Sequence, residues 1–186
     1  LDTLGFLHAR GVLHRDIKPE NVLLSAGTSG DRPTLKLADL GIAKLSEVTG
    51  HHDDTDSSRG TPTYMAPEQL EAGNPWLGPW TDLYALGSLI YYLVSGVPPF
   101  GRKMSYDARR RAHLRKDIPP VAARVPLPDG FDDWLFRLLE RDPAQRYRRA
   151  ADAAWGLVQL GDSSGDDLEL PEPEGMYEDV SVTELA

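Results

Sequence analysis

The sequence predicts an α+β chain that is mostly helical, with a small amount of strand placed early. Three observations carry this. Apolar residues recur at helical spacing in at least four segments. Two short β-rich runs, Val22-Leu23-Leu24 and Thr34-Leu35-Lys36-Leu37, flank a connector of turn formers, Ser25 to Pro33. Pro and Gly then punctuate the rest at positions where helices stop and start.

Taken in order, Leu1, Leu4, Leu7 and His8 share a helix face, and Gly11 supplies a stop. The two strands follow. From Ile42 to Arg59 the chain is polar and has neither period, so no element is expected there. Pro67-Glu68-Gln69-Leu70-Glu71 reads as a short helix opened by proline. Thr81 or Asp82 is expected to cap a longer helix that ends near Ser95-Gly96, where Pro98-Pro99 forbids continuation. Arg102 to Arg115 reads as a charged helical segment and Pro119 to Pro128 as a loop. Phe131, Trp134, Leu135, Leu138 and Leu139 mark an amphipathic helix, and Ala150 to Leu160 a last one. Residues 161–186, rich in acids, Pro, Gly and Ser, are expected to be a disordered tail or linker, which leaves residues 1–160 as one domain.

Composition narrows the function classes. The chain has 186 residues, 40 % of them hydrophobic, with four Trp and no Cys. A real core is affordable at this length. Disulfides, thiolate nucleophiles and thiolate zinc sites are excluded, and a cytoplasmic location is expected. The longest apolar run, Leu83 to Val94, is twelve residues. A bilayer span needs about 20, so this run is expected to be a buried helix and no membrane segment is expected in the chain. The net charge of −9 resides wholly in residues 161–186, which hold nine acids and no base. The remainder is neutral overall, and no basic field points to nucleic acid.

The chemistry concentrates in His14-Arg15-Asp16-Ile17-Lys18-Pro19-Glu20-Asn21 and in Asp39-Leu40-Gly41. Asp16 can take a proton from a hydroxyl. Lys18, two positions on, can return to the same side and meet a phosphate. Asn21 and Asp39 offer hard oxygens of the kind Mg²⁺ accepts alongside phosphate and water. Any one of these residues alone reads as a solvated polar side chain. Together, in this order and spacing, they form a phosphoryl-transfer set.

These two motifs resemble the catalytic loop and metal-binding loop of protein kinases. Gly60-Thr61-Pro62-Thr63-Tyr64-Met65-Ala66-Pro67-Glu68 is similar to the end of that family's activation segment. Trp80 to Gly87 resembles the start of its central buried helix, and Asp142-Pro143-Ala144-Gln145-Arg146 its late arginine motif. Lys18 and Thr61 match the serine/threonine kinases rather than the tyrosine kinases. The resemblance covers residues 1 to about 160 and implies the C-terminal lobe of the kinase fold.

The resemblance further implies an ATP- and Mg²⁺-dependent (or Mn²⁺-dependent) transfer of the γ-phosphate to Ser or Thr hydroxyls of protein substrates. Asp16 is then the base, Lys18 the phosphate contact, Asn21 and Asp39 the metal ligands, and Thr61 a bridge between Asp16 and Lys18. Leu23 lies in the floor under adenine. Glu68 pairs with Arg146, Asp82 holds the backbone of the catalytic loop, and His14 and Leu40 serve structurally. Arg15 and Lys44 are expected to receive an activation-loop phosphate, with Thr55, Ser57 and Ser58 as acceptors.

Two features depart from the family pattern. Asp-Leu-Gly stands where Asp-Phe-Gly is usual. The Gly-rich loop, the strand lysine and the helix glutamate of the N-terminal lobe do not occur in the chain, so the chain alone is expected to be nearly inactive and to rely on a lobe outside it. The alternative is a pseudokinase-like scaffold lobe that binds a partner, or one half of a split enzyme. Two further clusters have plainer readings. His51-His52-Asp53-Asp54 reads as a solvated loop before a metal site, and Arg109-Arg110-Arg111 as a solvated helix face before a docking surface.

Overall fold

In the computed structural model, residues 1–25, 34–40, 62–71, 73 and 76–160 are described. Helix α1 (Asp2–His8) ends at a turn where Gly11 has φ +69°, a left-handed value that favours glycine. Strand β1 (Val22–Ser25) pairs antiparallel with β2 (Thr34–Leu37), with Val22 opposite Leu37 and Ser25 opposite Thr34. Helix α2 (Pro67–Leu70) precedes the long helix α3 (Pro79–Ser95), followed by α4 (Tyr106–Arg115), α5 (Phe131–Leu138) and α6 (Ala150–Val158). The described residues thus form an α+β fold that is mostly helical, with a hairpin near its start.

The core is built around α3. Leu83, Tyr84, Ala85, Leu89 and Tyr91 are buried along it. Helix α5 packs on α3 and α1 packs on α6 and α3, with Leu4, Leu135 and Leu138 buried in the shared core. Gly87 lets α3 and α5 approach closely, since a Cβ there would lie 2.9 Å from Leu138 Cβ. The Trp134 indole N–H donates to the Ala153 carbonyl at 2.8 Å and ties α5 to α6. Gly96, with φ +77°, closes α3 by donating to the Tyr92 carbonyl at 2.8 Å. Among the described residues no helix is long and apolar enough to cross a membrane.

Three expectations need correction. Helix α3 starts at Pro79, with Gly78 and not Thr81 or Asp82 at its cap. Proline suits the first helical position. Thr81 sits at the third and accepts the Gly78 N–H at 3.1 Å, while Asp82 turns inward to another task. Helix α4 starts at Tyr106 rather than Arg102, because Ser105 caps it by accepting the Ala108 N–H at 3.3 Å. The run Arg109-Arg110-Arg111 is not a uniformly solvated face. Arg109 is buried, and its guanidinium donates to Thr63 Oγ1 and, at 2.7 Å, to the Arg102 carbonyl. Arg110 donates to the Leu70 carbonyl at 2.7 Å.

Candidate active site

The candidate site forms where the loop after α1 meets the hairpin. Asp16 is the hub. Lys18 Nζ lies 2.9 Å from Asp16 Oδ2. Asn21 Nδ2 donates to that same oxygen at 3.1 Å and to the Asp16 carbonyl at 2.8 Å. Pro19, at the start of a single 3₁₀ turn over Pro19–Asn21, brings Asn21 back beneath Asp16. Lys18, Asn21 and Asp39 line one cleft of about 850 Å³, and Asp16 lines an adjoining hollow that shares Lys18 with it.

The hairpin and the loop are bolted together. Ala38 N–H donates to the Asn21 carbonyl at 2.8 Å. His14 Nε2 lies 2.9 Å from the Ala38 carbonyl, which can only accept, so Nε2 carries the proton. Nδ1 is then the acceptor for the Asp16 N–H at 3.3 Å. One buried neutral histidine thereby spaces Asp16 from the strand that leads to Asp39.

Among the described residues, two that are not glycine have left-handed backbones, Arg15 at φ +64° and Asp39 at φ +52°. Such conformations persist where the surroundings over-determine them. Both backbone groups of Arg15 are held from afar: its N–H donates to Asp82 Oδ1 at 2.7 Å, and its carbonyl accepts from Gln69 Nε2 at 2.9 Å. Asp82 Oδ2 also accepts the His14 N–H at 2.8 Å and lies 2.8 Å from His8 Nε2. This fully buried carboxylate takes three donors, two from the backbone just before Asp16.

Glu68 and Arg146 form a bidentate pair, Nη1 to Oε1 at 2.8 Å and Nη2 to Oε2 at 3.0 Å, with both side chains buried. Arg146 also donates to the carbonyls of Glu140, Trp80 and Arg141. All five of its N–H groups are therefore used. Thr81 Oγ1 donates to Glu68 Oε1 at 2.9 Å and joins the first turn of α2 to α3.

Of the remaining expected residues, Leu23 is half exposed on β1 and Leu40 is exposed beside Asp39. Thr61, Lys44, Thr55, Ser57, Ser58 and the His51–Asp54 cluster lie outside the described residues. Two partners escaped the sequence reading. His8 gives no local hint of Asp82, which stands 74 positions later. Gln69 had a signal: it is the third residue of a proline-opened helix, where a glutamine reaches back, and Ala66 N–H does donate to its Oε1 at 3.1 Å. Tyr64, beside the cleft, has its hydroxyl pKa pushed up to about 12, chiefly by burial and next by Glu20. Among the described residues no three His, Asp or Glu side chains gather around a point. Two hard oxygens, from Asn21 and Asp39, are a donor set that Mg²⁺ accepts, because it retains water and phosphate ligands.

The family profile described as the protein kinase domain matches residues 1–154. PknB, a serine/threonine-protein kinase of Mycobacterium tuberculosis, is 31 % identical over 184 residues, covering 98 % of this chain and 27 % of that protein. A probable serine/threonine-protein kinase of Clostridium perfringens, CPE1738, is 34 % identical over 154 residues, covering 82 % of this chain and 21 % of its own. The serine/threonine-protein kinase PkaB of Streptomyces coelicolor is 38 % identical over 151 residues, covering 79 % of this chain and 34 % of its own. The chain thus spans between a fifth and about a third of the length of these relatives.

Proposed function

Since the chain belongs to the serine/threonine protein kinase family, we propose that residues 1–160 are the C-terminal lobe of an ATP-dependent kinase that phosphorylates Ser or Thr hydroxyls of proteins. The observation that carries this reading is the clamp on Asp16. Lys18 at 2.9 Å and Asn21 at 3.1 Å both address Oδ2. A carboxylate fixed in this way presents a defined lone pair to a substrate hydroxyl.

In this mechanism Asp16 accepts a hydrogen bond from the substrate hydroxyl, orients it in line and takes its proton late in transfer. Lys18 holds Asp16 from one side and offsets negative charge on the transferred group from the other. Asn21 uses its amide N–H on Asp16, which directs its amide oxygen toward a cation. Asp39, on its left-handed backbone, supplies the carboxylate for the same purpose. Asn21 and Asp39 would hold Mg²⁺, which would offset the negative charge of the phosphates. Thr61 is assigned the bridge between Asp16 and Lys18, and Leu23 the adenine floor. Arg15 and Lys44 would receive a phosphate placed on Thr55, Ser57 or Ser58, which would order the activation segment.

A second lobe, outside the chain, would cover the nucleotide. Leu23, Leu24 and Leu35 support this, since they leave apolar surface exposed along the hairpin next to Asp39. The test is transfer of labelled γ-phosphate by the full-length protein carrying this chain. Label should appear on Ser or Thr of a protein substrate, and Asp16→Asn should lower kcat by about 10²–10⁴-fold. Residues 1–186 alone should transfer almost none. Undiminished transfer by the Asp16→Asn protein would refute the assignment.

A further inference from the structure

The cleft that holds Lys18, Asn21 and Asp39 continues to the loop between α3 and α4 and the first turn of α4, where Arg102 and Arg109 line it. That loop is rigidly made. Gly101, at φ +76°, donates to the Pro98 carbonyl at 2.8 Å, and the Arg102 carbonyl is held by buried Arg109. Arg109 also bonds Thr63, so Arg102 is tied to the segment that carries Tyr64.

The Arg102 side chain is equally constrained. Its Nη2 donates to the Tyr92 hydroxyl at 3.3 Å and to the Gly96 carbonyl at 3.2 Å, and its guanidinium carbon stands 5.4 Å from the Tyr92 ring centre. Tyr92 in turn meets Tyr64 edge-on, with centroids 6.3 Å apart. All these partners are neutral. Among the described residues no carboxylate lies within ion-pairing distance of Arg102 or Arg109. Neutral acceptors satisfy hydrogen bonds but leave the charge uncompensated. The Tyr64 hydroxyl stays protonated at neutral pH and remains a donor. An exposed guanidinium pre-positioned against Tyr92 is a receptor for an anion that enters the cleft.

We propose that Arg102 is a specificity-determining residue, selecting protein substrates with an anionic side chain near the phosphorylated Ser or Thr. This rests on the kinase reading, since the occupant of the cleft is then a substrate segment whose hydroxyl reaches Asp16. The selected anion therefore flanks the acceptor in the substrate chain, at a position set by the run of the cleft from Lys18 to Arg102. Glu20 lines the same cleft and repels an anion placed beside it. The preference is therefore confined to positions that face Arg102 and is not spread along the peptide.

The experiment uses the full-length protein with a set of Ser/Thr peptides in which each flanking position carries Glu, Gln, Lys or phosphoserine. At one or two positions Glu or phosphoserine should exceed Gln by on the order of tenfold in kcat/KM. The Glu-to-Gln ratio should fall to about one in Arg102→Ala and turn toward Lys in Arg102→Glu, with added salt weakening the wild-type ratio. Glu leading identifies a carboxylate as the natural anion, and phosphoserine leading identifies a prior phosphorylation. Equal rates for Glu, phosphoserine and Gln at every position, or a ratio that survives both substitutions, overturns the proposal while leaving the kinase reading standing. No transfer to any peptide or protein refutes the kinase reading, and this inference with it.

Discussion

At the scale of single residues, the molecule spends long side chains on holding short loops. Arg146 is the extreme case. Its five N–H groups meet two carboxylate oxygens and three carbonyls, and its guanidinium also stands 4.7 Å from the Tyr84 ring centre. Arg146→Ala strands Glu68 as a buried unpaired charge, and the expected loss is about 3–5 kcal/mol. A lowered thermal midpoint of the kinase domain checks it. An unchanged midpoint would mean that water reaches Glu68. Asp82 works the same way on the loop before Asp16. Asp82→Asn replaces one accepting oxygen with a donor, so one of the His14 and Arg15 N–H groups or His8 loses its partner, at a cost of about 1–3 kcal/mol. Asp82 touches no substrate in the proposed mechanism. The expected signature is therefore a fall in kcat with little change in KM for the peptide, alongside faster amide exchange at His14 and Arg15.

At the scale of elements, α3 is the shaft on which the others are mounted, and its tightest bearing is Gly87. A methyl group there would sit 2.9 Å from Leu138 Cβ and 3.1 Å from Leu139 Cδ2. Alanine is the better helix former by about 1 kcal/mol, but overpacking costs about 1–3 kcal/mol. Gly87→Ala should therefore lower stability by about 1 kcal/mol or more, measured as a drop in the thermal midpoint. A rise would show that α5 can slide on α3. The same helix shows what the sequence could reveal. Its body was legible because twelve consecutive mostly apolar residues have no other home, and its end because Gly96 and Pro98-Pro99 leave no choice. Its start was misread because Thr81 and Asp82 are typical capping residues, and only the folded chain shows them reaching for Glu68, His14 and Arg15. The start of α4 was misread for a related reason: a charged segment has no apolar period to fix its first turn. Asp16, Lys18 and Asn21 were legible as a cluster since six consecutive residues contain all three. His8, 74 positions from Asp82, and Arg109, hidden in a basic run, depend on packing that no local pattern encodes.

For the whole molecule, residues 1–160 carry balanced charge, so net-charge repulsion is a weak lever on the folded part near neutral pH and individual buried groups decide its response to acid. His113 is one such group. It is buried between Tyr84, whose hydroxyl lies 2.8 Å from its Nδ1, and Phe100, whose ring stacks edge-on at 4.9 Å. Burial pushes its pKa down to about 4, the Arg109 charge adds to this, and the Thr63 backbone opposes it. In the unfolded chain the same imidazole titrates near 6.5. Between these values the unfolded state binds the proton and the folded state does not. The stabilising contribution is therefore intact above pH 6.5, declines as the pH falls toward 4, and is exhausted below that. The interval corresponds to about 3 kcal/mol. Thermal midpoints of the kinase domain across this range should fall steadily from pH 6.5 to 4. His113→Gln, which keeps an acceptor for the Tyr84 hydroxyl but cannot take up a proton, should lower the midpoint at pH 7 yet flatten the acid slope. An identical slope in both proteins would assign the acid sensitivity to other groups and would leave His113 as packing between α3 and α4 alone.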